Sequence, residues 1–94
     1  MRIDQLTELF VKQLGARKDG PAYLLPAETE AVVYVALAGE TLTVPKVTRY
    51  EPAEPLVHLE TARGERYVIL ADDVRALRID RAENVRKTGA GFGK

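Results

Sequence analysis

Chemistry in this chain would have to come from three groups of side chains. The first is His58, the single histidine, with Glu60 two residues further on. Positions i and i+2 of a strand share a face. Leu56-Val57-His58-Leu59-Glu60 therefore sets an imidazole beside a carboxylate, the pairing a general base requires. The same pair is far more often a solvated surface contact, and we assign it no catalytic role. The second group is Asp72-Asp73. Adjacent carboxylates suit a hard cation, but the repeated acidic spacing of a calcium loop is missing. Aspartate is also favoured in turns, where it accepts from nearby backbone N–H groups, and a turn is the expectation. The third group is Arg63, Arg66, Arg75 and Arg78, with Arg81 beyond them. A guanidinium fork meets phosphate oxygens with paired hydrogen bonds. Tyr67, Tyr34 and Tyr50 are the rings available to stack on bases. Carboxylates also stand close to these arginines, Glu65 beside Arg66 and Asp80 beside Arg81. Local pairing is the preferred reading, and phosphate binding the alternative.

Composition narrows the classes further. The 94 residues suit one domain, and 46% hydrophobic with 30% charged residues is the balance of a globular protein. Cysteine is absent, which removes disulfides, thiolate metal sites and a cysteine nucleophile. It agrees with a reducing cytoplasm, the expected location. One histidine is too few for a zinc site, and neither metal nor cofactor is expected. No apolar run reaches the roughly 20 residues of a membrane span, so no membrane partner is expected. Arg2 followed by an acidic amphipathic stretch does not read as a signal peptide. The net charge is zero, so there is no overall pull toward nucleic acid. Residues 61–94 nevertheless carry eight basic against five acidic residues, read as a mixed solvated surface.

The positioning elements follow from periodicity. Ile3, Leu6, Phe10 and Leu14 fall at helical spacing. A helix is predicted over 4–14, capped by Asp4, braced by Glu8–Lys12 and stopped by Gly15. Residues 15–30 read as connection around the turn Asp19-Gly20-Pro21, with Tyr23-Leu24-Leu25 as an apolar island forming an edge strand or a plug. Ala31–Leu37 is apolar throughout and rich in β-branched residues, a strand covered on both faces. Thr41–Val47 alternates but contains Pro45, which marks an edge or a bend. Residues 51–55 read as a rigid acidic loop. Leu56–Thr61 and Arg66–Leu70 flank a Gly-containing hairpin turn. Asp72-Asp73 then turns the chain into Val74–Asp80. Residues 81–94 read as a flexible, basic, Gly-containing tail. Its Gly89–Lys94 run has the wrong spacing for a phosphate loop, and Phe92 would be its anchor if it docked on a partner.

The expected fold is α+β, mainly β: an N-terminal helix on a five-stranded, strongly bent antiparallel sheet or small barrel spanning residues 1–80. Its helix, its strands Tyr67–Leu70 and Val74–Ile79, and the short turn Ala71–Asp73 between them resemble the Sm-like and SH3-like small barrels. The resemblance implies a single helical turn at Ala71–Asp73. With no catalytic constellation and many apolar faces, the leading expectation is a non-enzymatic binding or assembly module. It would act through protein–protein contacts, as a homo-oligomer, because a small domain gains buried area by association. Leu6, Phe10, Val74, Leu77 and Ile79 are its candidate interface residues, and the edge near Pro45 and the strand Val74–Ile79 are candidates for strand addition. The alternative is an Sm-like RNA-binding protein using Arg63, Arg66, Arg75, Arg78 and Tyr67.

Overall fold

The structure, a computed structural model, describes residues 1–81; the Gly89–Lys94 run and nearly all of the expected tail lie outside them. The chain opens with α1 (Ile3–Glu8), continued by a wider π turn over Leu9–Gln13. The predicted stripe is the buried face: Leu6, Phe10 and Leu14 all pack into the core. Asp4 is not the cap. Arg2 holds that position, and Asp4 lies in the first turn, its Oδ1 accepting from the Gln5 N–H at 2.9 Å. A carboxylate there still complements the free N–H groups of the helix start. Lys12 meets Glu8 at 3.0 Å. Gly15, at φ +74°, turns the chain away in the left-handed conformation that glycine tolerates best.

Among the described residues seven strands follow, not five: β1 (Arg17–Asp19), β2 (Ala22–Leu24), β3 (Thr29–Leu37), β4 (Glu40–Ala53), β5 (Leu56–Thr61), β6 (Arg66–Leu70) and β7 (Val74–Arg81). The two extra strands form a hairpin within the segment read mostly as connection; the Tyr23-Leu24 island is a strand, paired on both sides rather than at an edge. Each is three residues long, too short for an alternating pattern to register. Tyr23 and Leu24 of β2 pair with Tyr50 and Arg49 of β4.

β4 organises the sheet. Its first half pairs with β3, from Leu37↔Glu40 to Ala31↔Val47. Its second half pairs with β5, from Val47↔Thr61 to Ala53↔Leu56. Between them lie Pro45 and Lys46, the latter at φ +60°, where the register slips and the strand bends. Pro45 is thus a bend, as expected. The acidic stretch is not a loop: Glu51–Ala53 belongs to β4, and only Glu54-Pro55 turns. The antiparallel order is β7-β3-β4-β5-β6, with the β1–β2 hairpin beside the second half of β4. Among the described residues β6 pairs only with β5 and β7 only with β3, so the sheet is bent but does not close on itself.

Local chemistry accounts for the turns. Ala38 and Gly39 both have positive φ, as a two-residue type I′ hairpin requires. At the β5–β6 turn the buried Thr61 hydroxyl accepts from the N–H groups of Arg63 and Glu65 at 3.3 and 3.2 Å. Ala71–Asp73 forms a single 3-10 turn, where the resemblance places one. The core lies between α1 and the concave face of the sheet. Phe10 stacks on Tyr50 with centroids 4.4 Å apart and planes 1° apart. The Tyr50 hydroxyl lies 2.7 Å from the Thr7 hydroxyl, joining the helix to the strand at the bend. β3 is buried on its inner face at Ala31, Val33 and Val35; on its outer face Val32 is buried but Tyr34 is half-exposed.

Candidate functional site

His58 projects from the outer face of β5, opposite Glu51 on β4 and Val68 on β6. Glu60 shares that face, as expected from the spacing. The carboxylates there are engaged elsewhere: Glu60 with Arg49 at 3.8 Å and Glu51 with Arg66 at 3.7 Å. The His58 Nδ1 is buried without a hydrogen-bond partner. Among the described residues no carboxylate is therefore placed to orient the imidazole as a base. Asp72 and Asp73 lie in the 3-10 turn. Among the described residues no group of three or more His, Cys, Asp or Glu side chains is placed to hold a metal ion. A cleft of about 500 Å3 runs between the start of α1 and this turn, with Arg2, Asp4, Glu54 and Asp72 in its walls. Arg2, the cationic side chain among its described walls, already meets Asp4 at 3.3 Å, so the walls are acidic in character.

The arginines do not converge. Arg63 is on the β5–β6 turn and Arg75 is exposed at the start of β7. Arg66 faces Glu51 on the outer side of the β4–β5–β6 region. Arg78 lies on the outer side of the β3–β7 region, donating to the Tyr34 hydroxyl and to Asp80, each at 3.2 Å. Asp80, by its hydrogen bond and its charge, raises the Arg78 pKa further. Tyr67 points inward and packs against the core, so its ring does not stand beside Arg66 as a stacking platform.

Comparison with family models, with curated proteins and with solved structures gives no match for this chain.

The apolar candidates divide sharply. Leu6, Phe10 and Val74 are buried in the chain's own core. An amphipathic stripe reads the same in sequence whether its cover is its own sheet or a partner. Leu77 is half-buried, and Ile79 is 52% exposed. β6 adds two residues that sequence reasoning missed, Val68 at 54% and Leu70 at 47% exposed. Their signal was the unbroken apolar run Tyr67-Val68-Ile69-Leu70, which marks a strand destined for cover on both faces. The apolar exposure of β6 and β7 thus gathers on the two strands that end the sheet.

Proposed function

We propose that this chain is a non-enzymatic assembly module that associates with copies of itself through the open edges of β6 and β7. The observation that carries this reading is the chemistry of those edges. An unpaired edge strand is a template for another chain, and proteins that avoid such pairing blunt the edge with charge, proline or brevity. β1, the other terminal strand, is blunted in this way: three residues, Arg17-Lys18-Asp19, all exposed. β6 and β7 are longer and carry Val68, Leu70 and Ile79 in the open. Tyr67, Ile69 and Leu77, half-buried against the core, stop short of full cover. An edge of one kind meeting an edge of another is a heterologous contact, which generates rings where the rotation closes and filaments where it does not.

The helix, the bent sheet and the 3-10 turn at Ala71–Asp73 support the kinship with Sm-like and SH3-like barrels as a fold. RNA binding draws less support, because Arg66 and Arg78 already face carboxylates and lie on separate regions of the sheet. Light scattering over a dilution series tests the proposal. The expected result is a mass that is a multiple of the single chain and falls on dilution. A single-chain mass up to the solubility limit would overturn it.

A further inference from the structure

Among the described residues one buried side-chain atom has no hydrogen-bond partner, the Nδ1 of His58. Buried polar groups are nearly always paired, so an orphan has a physical reason. The register orders its surroundings. On the outer face Arg49, Glu60 and Arg66 form one row across β4, β5 and β6. Glu51, His58 and Val68 form the next. Directly opposed residues of an antiparallel pair have neighbouring side chains on one face. Glu51 therefore faces His58 from β4, Glu60 lies two residues along β5, and Arg66 stands diagonally on β6. Arg49 is diagonal on β4, and Asp19 of β1 meets it at 3.4 Å. Val68, opposite His58 on β6, brings no charge.

The charges of this cluster are unevenly partnered. Arg66 passes over the residue directly opposite it, Glu60, and crosses β5 to meet Glu51 at 3.7 Å. Glu60 is left to Arg49 at 3.8 Å, while Arg49 also holds Asp19. Three carboxylates thus share two guanidiniums. The Glu51 side chain is only 24% exposed, and its ion pair with Arg66 is longer than a hydrogen bond. A poorly served carboxylate and an orphaned ring nitrogen face each other across β4 and β5. They lack a proton between them.

Histidine is the side chain whose charge changes between pH 5 and 8. With both ring nitrogens protonated, each is a donor. We infer that His58 is an acid-sensitive switch that exchanges partners in this cluster. Protonated, its Nδ1–H donates to Glu51, and Arg66 leaves Glu51 for Glu60. The third cation gives three one-to-one pairs: Arg49 with Asp19, Arg66 with Glu60 and His58 with Glu51. Two effects drive the exchange. The new hydrogen bond has charge on both sides, the strong kind. The imidazolium also repels the guanidinium that reaches past it. The pairs formed by His58 and Arg66 then join directly opposed residues of adjacent strands. The side-chain tie from β6 over β5 to β4 is lost. Among the described residues β6 pairs only with β5, so acid loosens an edge strand from the body of the sheet. The switch belongs to a single chain and does not depend on self-association.

Side-chain NMR of the 94-residue chain at pH 8 and pH 5.5 tests this. The lower pH lies above the ordinary carboxylate range. Ring nitrogen shifts report the protonation of His58, and through-space contacts report the partner of Arg66. The expected result is Arg66 beside Glu51 at pH 8 and beside Glu60 at pH 5.5, the change following protonation of the ring. His58→Gln, neutral throughout, should keep Arg66 on Glu51 at both pH values. Glu51→Gln should put Arg66 on Glu60 already at pH 8 and abolish the pH response. Arg66 remaining on Glu51 beside a protonated ring would overturn the inference, as would an equal shift in His58→Gln. A neutral ring whose Nδ1–H already bonds Glu51 at pH 8, or a ring still neutral at pH 5.5, would overturn it too.

Discussion

Tyr50→Ala is expected to remove a large part of the domain's stability. Tyr50 is fully buried at the bend of β4, stacked on Phe10 and tilted against Tyr23 with centroids 5.9 Å apart. Deleting a large core aromatic costs about 3–5 kcal/mol, against a total of about 5–15 kcal/mol for a domain. The loss is severe here because the ring ties the helix to both halves of the sheet. Urea unfolding should show a midpoint lowered by a third or more of its wild-type value. Tyr50→Phe keeps the stack and loses the hydroxyl contact to Thr7, at a cost of about 1 kcal/mol. It also isolates a pH effect. Burial raises the Tyr50 pKa above its ordinary value of 10.0, the Thr7 hydrogen bond pulls it down, and Tyr23 adds a smaller upward push. A phenol whose pKa is raised by folding contributes stability that is complete below the unfolded value and lost as pH climbs through the folded one. Wild-type stability should therefore fall above about pH 10, and Tyr50→Phe should flatten that fall. An equal alkaline loss in both proteins would remove Tyr50 as its cause.

Ile79→Asp should dissociate the assembly without unfolding the chain. Ile79 is 52% exposed in the single chain, so a substitution there disturbs little of the folded domain. In the paired state it would place a carboxylate within the apolar contact at the β7 edge. Burying an unpaired polar group costs about 2–3 kcal/mol, roughly 30- to 150-fold in association. Sedimentation at matched concentrations reads this directly. Val11→Asp, an equally apolar but helical surface site 39% exposed, should leave the assembly unchanged. Equal dissociation by both substitutions would move the interface away from β7.

The parts of the fold that were legible in sequence are those with a period or a punctuation. The helix followed from its stripe and Gly15, and the β5–β6 hairpin from its Gly-bearing turn. A turn at Asp72-Asp73 followed from the short break between two apolar runs, and its single helical form from the small-barrel resemblance. β2 was legible only as the Tyr23-Leu24-Leu25 island, read as an edge strand or a plug; β1 was illegible because three polar residues carry no period, and the place of both beside β4 depends on a partner distant in sequence. β4 was cut short by reading the stretch around Pro52 as a rigid loop. Pro45 sits in the bulge, where no ladder bond is made. Pro52 lies opposite Val57, whose own N–H bonds toward β6, so that pair needs no donor from Pro52. The candidate interface was half legible. Leu77 and Ile79 stood out as a last strand's apolar face, but their exposure depends on a sheet that does not close. Val68 and Leu70 were passed over because nothing local separates a strand covered by its own chain from one covered by another.

Amide hydrogen exchange resolved by residue, at low and high protein concentration, bears most directly on the assembly. The amides of Tyr67, Ile69, Ala76 and Arg78 bond within the chain and should be slow at both concentrations. Those of Val68, Leu70, Leu77 and Ile79 point out of the open edges and should exchange fast when dilute and slow when concentrated. Fast exchange of these four at every concentration would contradict the account.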